Sequence, residues 1–202
     1  MLYNMEDAVA YSFKNFHAKG LHYICVKRSP IYTLKYYIYD GKPGRVVNPH
    51  DHRYDFRTTV LAGQMFNQTF MRHAKGTPHR AFDFYTPLLG GEGFVEREPD
   101  LLIADTPQRL EKYDTLTSVA KSIHTIHVAA GTILQLEQFY DVVDEEQPTS
   151  CWSPVGSPPP SYSDDGIYDK FTADEIVKYL TLITEETGEE FTEIGTLKNY
   201  FV

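Results

Sequence analysis

Hydrophobic positions along this chain change their period twice. Near the start, Met5, Val9, Phe13 and Phe16 recur at helical spacing. Asn4 is a suitable N-cap, Glu6 and Asp7 favour a first turn, and Gly20 is a suitable stop. The spacing predicts an amphipathic helix over 4–19, its apolar stripe covering one end of whatever follows.

From Leu21 the pattern turns to β-branched and aromatic residues. Leu21–Lys27 and Ile31–Asp40 read as strands separated by the turn Arg28-Ser-Pro30, and Asp40-Gly-Lys-Pro-Gly44 makes the next turn. Tyr54–Leu61 and Gln64–Arg72 read as a hairpin around Ala62-Gly63. Lys75-Gly-Thr-Pro78 then breaks the chain before Arg80–Tyr85, and Gly90-Gly-Glu-Gly93 forms a loop. Phe94–Glu98, Leu101–Ala104 and Leu110–Thr117 are weaker strand patterns. Ser122–Val128 and Thr132–Tyr140 are strong ones on either side of Ala129-Ala-Gly131. Many short strands with frequent turn signals predict a sandwich or barrel, and no internal repeat is visible.

The second change comes at 144–166, where acids give way to Pro, Ser and Gly. Ser157-Pro-Pro-Pro160 has no N–H groups to offer a sheet at its prolines and predicts an extended wrap, pinned at Trp152. Thr172-Ala-Asp-Glu175 is a capping box. The helix it opens carries Ile176, Tyr179, Leu180 and Ile183 on one face and ends near Gly188. The expected division is an N-terminal helix over 1–20, a barrel over 21–143, and a wrap with an acidic helix over 144–202, all one domain.

Composition narrows the class. With 202 residues the chain suits one domain, and 15 Tyr with 12 Phe argue for folded β-rich structure against disorder. Residues 141–202 carry 14 acids against three lysines, while 1–140 are close to neutral. Such a balance speaks against nucleic acid and anionic membranes as partners. No apolar run reaches the roughly 20 residues a bilayer demands, and the first residues lack a basic-then-apolar leader pattern. Cys25 and Cys151 are too few for a disulfide framework. A cytoplasmic protein is the expectation.

The candidate chemistry lies in Gly44–Gly63. His50 and His52 sit two apart in an extended context after Pro49. In a strand, residues i and i+2 face the same way, so two imidazoles on one face form half of a metal site. His124 and His127 differ by three, so on a regular strand only one of them can face that metal.

Gly44–Gly63 resembles the first motif of the cupin superfamily: a glycine, five residues, His-x-His, three or four residues, usually Glu, then six residues to a glycine. Gly44, His50, His52 and Gly63 match in type and spacing. The Glu position falls on Phe56 or, with the longer spacing, on Arg57; Asp55 is on the opposite face by alternation. The stretch Ser122–Leu136 resembles the second motif, a histidine strand, a short loop and another strand. His124 is the match and His127 the fallback. The resemblance spans about residues 31–140 and implies a mainly β fold, a cupin double-stranded β-helix (jelly-roll barrel) with an N-terminal and a C-terminal helix outside.

It also implies a metal held by His50, His52 and His124. A ligand set of three histidines without a carboxylate is similar to that of the thiol dioxygenases of the cysteine dioxygenase type. The implied activity is that of a metal-dependent dioxygenase, an oxidoreductase using iron(II), on a small anionic substrate with thiols among the candidates. Zinc, nickel and manganese suit the same ligands. Two other readings remain open: a barrel that binds a small molecule without catalysis, and a sugar-modifying cupin that uses histidine without metal. Tyr54, Arg57 and Glu137 are the expected catalytic neighbours. Phe56, Tyr36 or Ile38 are expected to line the cavity, with Arg45 and Arg53 as further basic neighbours and Gln135 as an alternative to Glu137. His17, His22, His73 and His79 read as surface residues, and a homodimer through barrel strands is the expected assembly.

Overall fold

The computed structural model describes residues 1–45, 47–86, 90–141, 147–160 and 168–194. The chain opens with β1 (Leu2–Tyr3), α1 (Met5–Tyr11) and β2 (Phe13–Lys14), followed by β3 (Leu21–Ser29), β4 (Tyr32–Tyr39) and β5 (Gly44–Arg45). Next come β6 (Tyr54–Ala62), β7 (Met65–Tyr85), β8 (Gly93–Ala104), β9 (Gln108–Leu110) and β10 (Thr115–Ser118). β11 (Ile123–Val128), β12 (Thr132–Asp141), β13 (Thr149–Pro154) and β14 (Asp169–Lys170) lead to α2 (Ala173–Thr187) and β15 (Thr192–Glu193).

Two antiparallel sheets carry the molecule. One runs β10-β6-β12-β4-β3-β2-β14; in the other, β7 pairs with β8 and β9 on one side and with β11 and β13 on the other. From β4 onward the chain alternates between them: β4, β6, β10 and β12 belong to the first, β5, β7, β11 and β13 to the second. This crossing back and forth winds a double-stranded β-helix, as the motif resemblance implies. Among the described residues no helix is long and apolar enough to cross a membrane.

Each face of the first sheet has its own cover. Ile24, Val26, Leu34, Tyr36, Ile38, Leu61 and Ile133 point outward and are buried under α1 and α2, which contribute Ala8, Ile176, Leu180 and Ile183. The capping box at Thr172 and Glu175 and the left-handed Gly188 bound α2 where the sequence places them. Toward the interior, Tyr39, Val60 and Leu134 of the first sheet meet Met65 and Val128 of the second, with Leu110 beside them, and fill one end of the barrel. The other end holds the histidines.

Several expectations change. Helix α1 stops at Tyr11 because Phe13 turns into β2, where it joins Tyr23, Cys25 and Tyr168 in an aromatic cluster that Phe16 flanks. Asn4 does cap it, its side chain accepting from the Asp7 N–H. β6 and β7 are not a hairpin; Gly63 is a corner that carries the chain from one sheet to the other. Its φ is +73°, and a Cβ there would lie 2.8 Å from the Cα of Thr132, so both conformation and space require glycine. The break at Lys75–Pro78 is instead a register shift within β7, between Arg72 and Thr77, as β8 keeps pairing on both sides of it. The segment around Trp152 is a strand, β13, and Trp152 is fully buried. Much of the acidic wrap, 142–146 and 161–167, lies outside the described residues.

Candidate metal centre

His50 and His52 belong to a short extended segment seated along the edge of the second sheet. The His50 N–H donates to the carbonyl of His124 at 2.9 Å, and the His124 N–H returns the bond at 2.9 Å. On its other side His50 bridges to Cys151 of β13, and the Trp152 N–H donates to the Pro49 carbonyl at 2.8 Å. Asp51, between the histidines, points away from them. Its buried carboxylate accepts from the Ser150 N–H at 2.7 Å, and Lys121 stands 3.5 Å from it. One residue thus ties down the loop while its two neighbours face the cavity.

His124 reaches the same point from the centre of β11. The three imidazoles present ligand nitrogens that all lie within 4.8 Å of one another. The Nε2 atoms of His52 and His124 are 3.0 Å apart. Two nitrogens bound to one ion at about 2.1 Å and about a right angle are separated by about 3.0 Å, so this spacing fits shared coordination. Two of the three rings are oriented from behind. His124 Nδ1–H donates to Asn67 Oδ1 at 2.8 Å, and His50 Nδ1–H to the Asn48 carbonyl at 2.8 Å. Both bonds select the tautomer that leaves Nε2 as a lone pair aimed into the cavity.

Burial sets the charge state. Desolvation lowers the pKa of His50, pulls that of His52 well below its ordinary value, and lowers that of His124 to about 3; like charges on the other imidazoles add to the effect at His52 and His124. All three are therefore neutral near pH 7, as metal ligands must be. The Phe56 ring sits 4.8 Å from that of His52 and 5.6 Å from that of His124. It stands where the motif's carboxylate would be, so among the described residues the donor set is three neutral nitrogens. Replacing Asn67 with Leu should weaken metal affinity about 10- to 100-fold by leaving His124 free to rotate and change tautomer; competition with a chromophoric chelator measures it, and an unchanged affinity would remove Asn67 from the site.

The other expected neighbours divide by strand parity. Tyr54 lines the cavity, its ring 5.3 Å from His52. Arg57 and Glu137 do not join it. They lie on the outer face, where the Arg57 Nε–H donates to Glu137 at 2.5 Å and the Tyr32 hydroxyl donates to the same carboxylate at 3.1 Å. Alternation along β6 puts Arg57 opposite Phe56 and leaves its side chain about half exposed, 48%. Gln135 is also on the outer face, donating to the Tyr36 hydroxyl at 2.9 Å. Tyr36 and Ile38 point outward, under the helices. His127 faces away from the cluster, lining an open surface pocket with Phe66, Gln68 and Pro107. The side chain of Arg45 lies outside the described ones.

One interior residue near the site carries no motif signal. Lys35, between Leu34 and Tyr36 on β4, points inward and is 7% exposed. Its ammonium donates to Gln138 Oε1 at 2.9 Å and lies 5.1 Å from the Tyr23 ring centre and 5.8 Å from that of Tyr54. His17 is exposed, as the sequence reading has it, in the 15–20 turn, with a left-handed φ of +62°. It is hydrogen-bonded to the Tyr168 hydroxyl and packs against Phe16 and Phe84. His22 and His79, also read as surface residues, are buried, hydrogen-bonded to the Asn15 N–H and the Thr77 carbonyl respectively.

No protein-family model matches the chain, and no curated protein does. Among solved structures it is similar to an RmlC-like cupin from Shewanella frigidimarina, at 13% identity over 61% of this chain and 78% of that one, with a TM-score of 0.39. It is also similar to KdgF from a Halomonas species, at 13% identity over 61% and 82% of the two chains, with a TM-score of 0.37. A third match is an oxalate decarboxylase from Lactobacillus farciminis, at 14% identity over 72% of this chain and 34% of that longer one, with a TM-score of 0.42. The alternation of strands between two facing sheets, with the histidine motif on the interior, gives this chain a cupin-type fold.

Proposed function

We propose that the protein is a metal-dependent, dioxygenase-like cupin acting on a small anionic substrate, with His50, His52 and His124 holding iron(II). The observation that carries this reading is the convergence of three neutral imidazole nitrogens, with no carboxylate joining them among the described residues. A divalent ion bound there would keep its full positive charge and open positions, which suits an anion and dioxygen together. Zinc, nickel and manganese fit the same donors, and thiols are one class of substrate to try.

The chain's own groups have separable tasks. Asn67 and the Asn48 carbonyl fix the tautomers of His124 and His50. Phe56 closes the position beside His52 and His124 to water, and Tyr54 offers a phenol next to His52 that can hydrogen-bond a substrate. A sugar-modifying mechanism would need a histidine–carboxylate pair in the pocket. Among the described residues, the hydrogen-bond partners of these imidazoles are Asn48, Asn67 and one another. The ring walls do suit a barrel that captures a small molecule without converting it.

Nitric oxide discriminates between these readings. Protein loaded anaerobically with iron(II) should bind it and show the paramagnetic signal of an iron–nitrosyl with spin 3/2. Iron that binds and gives no such signal has no open position, and the oxygenase reading would be lost.

A further inference from the structure

The pocket at Phe66 and His127 is open and apolar, but nothing shows what would cover it. The Arg72–Asp100–Arg97 cluster around Trp152 is internally satisfied and structural. The proline run that follows β13 is different: it belongs to no strand or helix, and the metal centre does not involve it.

β13 ends at Pro154, two residues after the fully buried Trp152. The chain then turns. The Ser157 N–H donates to the Pro154 carbonyl at 3.0 Å, and Gly156 takes a φ of +90° inside that turn, a conformation that favours glycine. Ser153, itself buried, donates its hydroxyl to the Pro158 carbonyl at 3.0 Å and so holds the start of the run. Ser157, Pro158 and Pro159 are exposed, and Pro160 is half-buried. Consecutive prolines lock φ at about −65° and favour the polyproline II helix, with about three residues per turn. The chain rejoins the first sheet at β14, where Asp169 and Lys170 pair with β2. The fold therefore anchors the run on both sides and leaves its first prolines in water.

In sequence the run continues into Ser161 and Tyr162, which lie outside the described residues. On a polyproline II helix, Pro159 and Tyr162, three apart, share one edge. Domains that read this helix seat prolines in a groove of aromatic rings and take their specificity from the residues beside them. The SH3 class reads Pro-x-x-Pro with a neighbouring cation. Residues 154–162 contain no such spacing, and no Lys or Arg occurs between Lys121 and Lys170. The WW class reads two adjacent prolines and, one residue later, a tyrosine that fills a second pocket. Pro159-Pro160-Ser161-Tyr162 has that form.

We propose that Pro159-Pro160-Ser161-Tyr162 is a docking site for a WW domain of a partner protein, presented by the turn that ends β13. The prolines arrive with φ already fixed and lose little conformational freedom on docking, so a short contact suffices for a reversible complex. The site is separate from the histidine cluster and does not depend on the metal reading.

Titration of the full-length protein with a WW domain of Pro-Pro-x-Tyr specificity tests it, with an SH3 domain as the control ligand. Saturable one-to-one binding of the WW domain is expected, and none of the SH3 domain. Pro159→Ala and Tyr162→Ala should each weaken WW binding at least about 10-fold, because each empties one pocket. A peptide of residues 154–166 should bind within a few-fold of the full-length chain and lose affinity on the same substitutions, a readout that needs no variant to fold. Equal binding of the SH3 domain would overturn the proposal, as would affinities unchanged by either substitution. Binding by the peptide but not by the full-length protein would overturn it too, since the barrel would then be hiding the motif.

Discussion

Replacing His124 with alanine is expected to lower metal affinity at least about 100-fold, since it removes a ligand outright, not merely one of the hydrogen bonds that orient it. The barrel should remain folded. His124 is one interior position on β11, whose pairing with β7 runs unbroken from Ile123 to Val128 and rests on backbone bonds that the substitution leaves in place. Asn67 loses its partner, which should cost about 1–3 kcal/mol as a buried acceptor goes unpaired. Chelator competition measures the metal, and thermal melting measures the fold. Added imidazole should recover part of the affinity by occupying the space left behind. His127→Ala is the matched control: same strand, opposite face, and no change in metal affinity. If the two alanine variants bind metal equally, β11 does not supply a ligand.

The largest stability effect should come from Trp152→Ala. The indole is fully buried against Ala81, Leu102 and Ile123, and its N–H donates to Asp100 at 2.7 Å. The guanidinium groups of Arg72 and Arg97 lie over the ring, at 5.3 and 5.6 Å from its centre. The same two arginines pair with Asp100 at 3.1 Å each; against a burial effect that works the other way, the Trp152 N–H and these arginines hold its carboxylate below the usual pKa. Truncation should cost about 3–5 kcal/mol from the cavity alone. The melting temperature should fall by about 10 °C. Metal affinity should fall as well, because β13 carries the backbone contacts to Pro49, His50 and Asp51. A variant that melts as the wild type does would show that β13 is not holding the sheet.

How far the sequence could be read depended on whether one face of a strand was open to water. His50-Asp-His52 follows Pro49 in extended chain, and parity alone puts both imidazoles together. Parity also separates His124 from His127, and the structure places them on opposite faces as that rule requires. β4 is where the rule lost its footing. Its residues read Tyr-Thr-Leu-Lys-Tyr-Tyr-Ile-Tyr, and both faces are covered, the outer one by two helices. With no solvent side there is no polar alternation to show which set points inward, so Tyr36 and Ile38 looked like cavity residues when Lys35 and Tyr37 hold that place. Only the lysine, an unlikely residue for a buried face, could have marked the parity. Arg57 and Glu137 misled for a related reason. Each lies on a strand next to the cavity, and the cross-strand ion pair they form on the outer face cannot be seen from either strand alone. His17 depends on a left-handed turn and a tyrosine about 150 residues away, a pairing no local pattern encodes. Phe13 and Phe16 kept helical spacing by coincidence, since burial in the aromatic cluster with Tyr23 decides their conformation.

The most direct test is the metal content of protein purified without an affinity tag, measured by mass spectrometry beside a His50→Ala, His52→Ala double variant of unchanged melting behaviour. We expect close to one divalent ion per chain in the wild-type protein and essentially none in the variant. A wild-type protein that binds no ion when offered iron(II), zinc, nickel or manganese, or a double variant that keeps its full complement, would contradict the metal centre described here.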